Sequence, residues 1–344
     1  MKRALYICSH PSAEYNKILA FHKAGMELFS VGCYKNPAKP VLECLRPINI
    51  PYNEEVLEYF DHLNGGRIYN PSENLKLDSK FMSYFDVVIS VWNPGIILQY
   101  ANLFANKIVI YDSVGQSDYG REKQIKHLKE KNGIYIVRVS ESESYFSGYA
   151  GADAVIHGGV DTDFFSGWHG SEEYVLTINA AVMERKHVNN LSLYLTVTEG
   201  LPRKIYGGAN DNLVADWYYG SLNSDQVVEK YRESRVYFSL GSKPAPITFT
   251  PVEALSVGCP VITWGPKLGG SGTYSFYKFI DKGVNGFWSD DFREMRSFIE
   301  VLLKDHVLSK KISYEARKTA LKYFSLEVEA DKWKVFLQDK GLIL

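Results

Sequence analysis

Short, uninterrupted apolar runs alternate with longer charged stretches along nearly the whole chain, and this rhythm leaves few folds open. Residues 86–91 (DVVISV), 107–111 (KIVIY) and 133–139 (GIYIVRV) are bounded by polar residues, Pro or Gly. Such runs suit parallel strands covered on both faces. A charged helical stretch at 121–131 separates the last two, and 4–9 followed by 14–28 reads as strand then helix. Strand, helix, strand in repetition predicts an α/β fold.

The rhythm pauses at 166–173 (SGWHGSEE), which reads as a linker, and then restarts. Strands are expected at 174–179, 204–206, 236–240 and 260–263, and helices at 187–198, 225–234 and 251–257. A length of 344 residues accommodates two domains. The simplest architecture is two Rossmann-like, doubly wound halves, 1–168 and 169–325. Open parallel sheets bind ligands at the carboxyl ends of their strands. Two such halves predict a two-substrate site at their interface.

Composition narrows the chemistry. A net charge of -1 gives no general pull toward nucleic acid or anionic lipid. The four cysteines, Cys8, Cys33, Cys44 and Cys259, show no metal-ligand spacing, and Cys8 and Cys259 sit in apolar runs as small hydrophobes. The opening MKRALYICSHP is too short a run for a signal segment and fits a first buried strand. The expectation is a cytoplasmic, reduced protein, with a peripheral membrane contact left open.

The most informative segment is 248–270 (TFTPVEALSVGCPVITWGPKLGG), which reads as loop, helix, strand and glycine-rich loop. Pro251 suits a first helical turn, and a helix start spanning Thr250, Pro251 and Val252 offers N–H groups to a diphosphate. Glu253, placed in that first turn, either accepts from a ribose diol or complements the helix dipole. Gly265, Gly269, Gly270 and Gly272 form either a phosphate-approaching loop or a simple flexible turn.

This segment resembles the donor-binding signature of family 4 glycosyltransferases, in which a Glu, seven residues and a second Glu precede a small-residue helix and G-x-P-V-I. Here Glu253-Ala254-Leu255 and Gly258-Cys259-Pro260-Val261-Ile262 match. Residues 139–142 (VSES), 156–164 (IHGGVDTDF), Gly220 with the helix and strand after it, and 282–288 (KGVNGFW) follow the same family order. The likeness spans about residues 135–330. It implies a GT-B fold of two Rossmann-like domains facing across a cleft, with a C-terminal helix, 326–344, returning to the first domain. It also implies transfer of a sugar from a nucleotide-diphosphate donor to an acceptor hydroxyl, with retention, without metal and without a cofactor beyond the donor.

By the same resemblance, Lys186 with Arg185 would stabilise the leaving diphosphate, although a solvated basic turn is the alternative. Gly220, Gly269 and Gly270 would line the donor. Two positions depart from the family: Ala181 stands where an Arg is usual, and Ala245 stands where the first Glu contacts the donor sugar.

The first half says less. His10 replaces the family's Gly-Gly loop and either contacts the acceptor or is a surface residue. Asp112 ends a strand and either orients an acceptor hydroxyl, acts as base, or caps a turn. Trp92, at another strand end, is a stacking candidate. Asp290-Asp291 reads as surface. The acceptor is open among a glycan, a lipid-linked glycan and a modified DNA base as in phage enzymes, and 123–131 (KQIKHLKEK) is either a membrane-facing patch or a solvated helix face. An epimerase or a non-catalytic nucleotide-sugar binding protein on the same fold remains a rival, and the oligomeric state is unassigned.

Overall fold

A computed structural model describes residues 2–71, 75–185, 188–210, 215–269 and 272–343. Contacts divide the chain into two compact units, Met1–Gly159 with Leu326–Leu344, and Val160–Ser325.

The first unit contains β1 (Arg3–Ile7), α1 (Pro11–Lys23), β2 (Glu27–Ser30), α2 (Glu54–Asn64), α3 (Ser79–Met82), β3 (Val87–Val91), α4 (Pro94–Gln99), α5 (Ala101–Phe104), β4 (Ile108–Asp112), α6 (Tyr119–Asn132), β5 (Tyr135–Arg138) and β6 (Ala154–Val155). Its six strands pair in the order β2-β1-β3-β4-β5-β6, every pair parallel. The second unit contains β7 (Glu172–Ile178), α7 (Leu191–Thr198), β8 (Arg203–Tyr206), α8 (Ser224–Glu233), β9 (Ser234–Phe238), α9 (Phe249–Val257), β10 (Val261–Trp264), β11 (Gly286–Ser289), α10 (Phe292–Lys304) and α11 (His306–Tyr323). Its five strands, ordered β11-β10-β9-β7-β8, are likewise all parallel. The α/β architecture read from the apolar rhythm is therefore present twice. Among the described residues no helix is long and apolar enough to cross a membrane.

The last helix, α12 (Leu326–Asp339), belongs to the first unit and packs on α1, with the Phe21 and Trp333 rings 4.8 Å apart. Lys17 on α1 bridges Asp112 at the end of β4 (3.1 Å) and Glu329 on α12 (2.8 Å), and its ammonium lies 4.7 Å from the Trp333 ring. A second buried cluster holds β5 to the helices around it. Arg138 pairs with Glu122 at 2.8 Å and with Glu143 at 3.4 Å, all three side chains being fully buried.

Several local expectations need correction. The helix expected at 14–28 ends at Lys23, because Gly25 at φ +84° breaks it and β2 begins at Glu27. The helix expected from 187 begins at Leu191. Ahead of it the Asn189 and Asn190 amides bond the carbonyls of Ala180, Val188 and Leu240, holding the chain in turns. Residues 166–173 are an integral part of the second unit, where Trp168 Nε1 donates to Ser234 O at 2.8 Å and Ser256 Oγ to Phe165 O at 2.9 Å.

Candidate functional site

The carboxyl ends of β7, β9 and β10 and the N-terminus of α9 hold most of the residues singled out in the second unit. Seven of the longer helices have a side-chain N-cap: α1 uses His10, α2 Asn53, α4 Asn93, α6 Asp118, α8 Asn223, α10 Asp291 and α11 Asp305. α7 and α9 do not; in α9 Thr248 occupies the cap position without a side-chain bond, and no acid lies in the first turn. Its leading N–H groups have no intrahelical acceptor, so this end of the helix presents donors and a positive dipole end.

The helix starts two residues earlier than Pro251, so Pro251 is the third helical residue and Glu253 falls in the second turn. Glu253 therefore does not complement the dipole. It is 8% exposed, and Tyr231 Oη donates to its Oε2 at 3.2 Å; its Oε1 has no hydrogen-bond donor among the described residues. Burial pushes the carboxyl up to about 7, against the Tyr231 bond that lowers it. The single Tyr231 hydroxyl proton is shared with Thr250 O, 3.0 Å away, and Tyr237 Oη donates to Ile178 O at 3.5 Å, so two tyrosines brace the helix start and the end of β7. Val252 is buried in the core. Neither tyrosine stood out in the sequence, because each sits on an apolar face and reads there as core.

The loop after β7 is held by Asn210, which is 1% exposed. Its amide donates to Asn179 O and Gly207 O, both at 3.0 Å, while its Oδ1 accepts from Val182 N at 2.6 Å. Gly207 is required at this approach, since a Cβ there would meet Asn179 O at 2.1 Å. Ala181 takes φ +52° and donates its N–H to Gly208 O at 2.9 Å. Arg185 is exposed on this loop, its N–H bonded to Ala181 O. Lys186 lies outside the described residues. Gly220 has φ +82°, and its carbonyl accepts from Gly207 N at 3.0 Å, which places it against the same loop.

The glycine loop after β10 is shaped by close approach. A Cβ on Gly269 would lie 2.7 Å from Tyr274 Cβ, and one on Gly265 2.7 Å from Asp290 Oδ2. Asp290 Oδ1 accepts from Leu268 N at 2.8 Å, and Asp291 caps α10. The Asp290-Asp291 pair is thus structural; its first member fastens the glycine loop instead of facing solvent. Gly270 lies outside the described residues.

In the first unit the expected residues are separately placed. His10 is exposed and its Nδ1 caps α1, accepting from Ala13 N at 3.4 Å. Asp112 is 4% exposed and committed to Lys17, so it neither caps a turn nor presents a free base. Burial raises its pKa, the Lys17 ammonium opposing that rise. Trp92 is 37% exposed in the left-handed region at φ +61°, with the Arg121 guanidinium 4.3 Å from its ring. On α6, Glu122, Ile125 and Leu128 face inward while Lys123, Lys126 and Lys131 are exposed.

No profile of a known protein family matches the sequence, and no curated protein is significantly similar to it. Among solved structures, Anabaena HepE in complex with UDP-glucose matches with a TM-score of 0.68 at 13% identity, covering 100% of both chains. S. aureus TarM, in complex with Fondaparinux, alpha-GlcNAc-glycerol and UDP, matches at 0.67 and 12%, covering 98% of this chain and 99% of its own. A glycosyltransferase from Rickettsia africae matches at 0.65 and 15%, covering 98% of each chain. At these identities the likeness is one of fold: the chain has the GT-B fold of these glycosyltransferases along its whole length.

Proposed function

We propose that this protein is a glycosyltransferase that takes a sugar from a uridine-diphosphate donor held by its second unit. The observation that carries this reading is α9, uncapped at its N-terminus, with a buried, half-satisfied Glu253 one turn further in. A diphosphate fits the positive end of this helix, where N–H groups lack intrahelical acceptors, and a ribose diol fits the open carboxylate oxygen of Glu253. The choice of uridine follows HepE and TarM, which share the fold and bind UDP or UDP-glucose.

In this reading Arg185 and Lys186 meet the diphosphate as negative charge develops on it. Gly220, Gly269 and Gly270 let the backbone approach the nucleotide. The acceptor hydroxyl, of a glycan or a lipid-linked glycan, is recognised by the first unit, with Trp92 and His10 as its contacts. The transfer proceeds with retention and needs no metal. Asp112 has no role in the chemistry, because Lys17 holds it.

Titration calorimetry with UDP, GDP, ADP and TDP tests the donor site. UDP binds, and Glu253→Gln weakens it about tenfold or more through the lost charge-assisted bond. Equal binding of all four, or no change in the variant, sinks the assignment of Glu253.

A further inference from the structure

We infer that the loop after β9 selects a donor whose sugar is itself an anion, with Lys243 as the group that recognises it. This rests on the donor reading above and deepens it.

The loop is held tightly on both sides of Lys243. Gly241 has φ +59°, and a Cβ there would lie 2.7 Å from Trp264 Cζ2, so only glycine passes over the indole. Lys243 N donates to Val188 O at 3.0 Å, tying this loop to the one after β7. Thr273 Oγ1 donates to Pro244 O at 2.8 Å, and Ser275 N and Phe276 N to Pro246 O at 2.9 and 3.1 Å. The Lys243 side chain then runs beside Trp264, placing Nζ 5.3 Å from the ring centroid.

That ammonium is half-buried and has neither an acid nor a hydrogen-bond acceptor among the described residues. Of the other cations of this unit, Lys230 meets Glu233 at 2.7 Å and Arg235 meets Glu173 at 3.4 Å, while Lys204, 4.0 Å from the Tyr174 ring and likewise without an ion pair among the described residues, lies within edge strand β8 and not on a loop at the carboxyl ends of the strands. An aromatic face offsets part of the cost of desolvating a cation but satisfies none of its N–H donors. A positioned ammonium with no acid beside it keeps donors available to an anion.

Two anionic groups of a nucleotide sugar are candidates, the diphosphate and the sugar. The diphosphate is already assigned to the helix N-terminus and the loop after β7. Lys243 lies in the segment leading into Thr248 at that N-terminus, which leaves the sugar, the group that follows the diphosphate, as its anion. Residues 239–248 (SLGSKPAPIT) contain no acid, so Lys243 is the only charge in the loop. Ala245, 2% exposed, supplies a methyl where a carboxylate would repel a second one. The pattern fits a hexuronate, whose carboxylate accepts from Nζ.

Calorimetric titration of the full chain with UDP, UDP-glucose and UDP-glucuronate tests this, using wild type, Lys243→Met and Lys243→Arg. The wild type binds UDP-glucuronate about tenfold or more tighter than UDP-glucose, the effect of one charge-assisted hydrogen bond. Lys243→Met abolishes the preference and leaves UDP affinity unchanged; Lys243→Arg keeps most of it. Equal affinities in the wild type overturn the inference. So does a Lys243→Met variant that loses UDP along with the preference, which puts Lys243 on the diphosphate. If UDP itself fails to bind the wild type, the donor reading falls and this inference with it, so the two failures are told apart.

Discussion

The two units bury acids in opposite ways. In the first, each buried carboxylate meets a buried cation or several hydrogen-bond donors. Glu14 accepts from Ser30 Oγ (2.8 Å), Cys33 N (3.2 Å) and Tyr34 N (2.9 Å). Asp112 and Glu329 share Lys17, and Glu122 and Glu143 share Arg138. Glu329 also accepts from Gly159 N at 2.8 Å and Trp333 Nε1 at 3.2 Å. In the second unit Glu253 is also buried yet has one phenol donor and no cation among the described residues. Closed polar clusters fasten elements of a fold together; an open one keeps bonding capacity for something that arrives later. The contrast places the first set in the architecture and agrees with the binding role proposed for Glu253.

The sharpest way to break this comparison is to remove a central cation. Arg138→Met leaves Glu122 and Glu143 buried without their partner and costs about 3–5 kcal/mol in urea unfolding. A cost near zero would show that the cluster is wet and idle. Next in size is a matched pair of isosteric changes. Glu14→Gln turns an acceptor toward N–H donors into an amide that cannot satisfy all of them, costing about 1–3 kcal/mol. Glu253→Gln removes a single accepted bond and leaves stability nearly unchanged or raised at neutral pH, while weakening UDP. Equal losses of stability in both variants would erase the distinction between the units.

The pH dependence sharpens the same point. Burial raises Glu14 and Glu253 to about 7. A carboxyl whose folded pKa lies above its unfolded value binds its proton more tightly in the folded state. Its contribution is therefore fully present below about 4.5 and is lost as pH rises through about 7. Relative to wild type, Glu253→Gln gains stability as pH rises through this window; a constant difference from pH 5 to about 8 would contradict the burial of Glu253. The smallest effect expected is that of His10→Ala. Its capping bond is long at 3.4 Å, so the loss is below about 1 kcal/mol in thermal unfolding.

Much of the fold was legible because a strand covered on both faces must be apolar along its length. The runs at 86–91, 107–111 and 174–179 contain β3, most of β4 and the apolar part of β7. Legibility failed where side chains compete with the backbone's own ladder. Asn189 and Asn190 delayed α7, and a positive-φ glycine cut α1 short of β2. The segment 248–270 announced a helix with an exposed start, but the position of Glu253 within that helix shifted by a turn because the chain enters the helix at Phe249.

By itself the sequence determined two parallel α/β units and the helix, strand and glycine-rich loop at 248–270 of the second, since both are written in local pattern and spacing. Only the tertiary structure decided which charged residues are spoken for. Asp112 and Lys17 lie 95 positions apart, and Glu329 is further still, so nothing local tells that one ammonium closes on two carboxylates. The same holds for Lys243, whose unpaired charge is a property of what surrounds it. Pairing depends on distances that fall off within a few ångströms, and those are set by how distant segments pack.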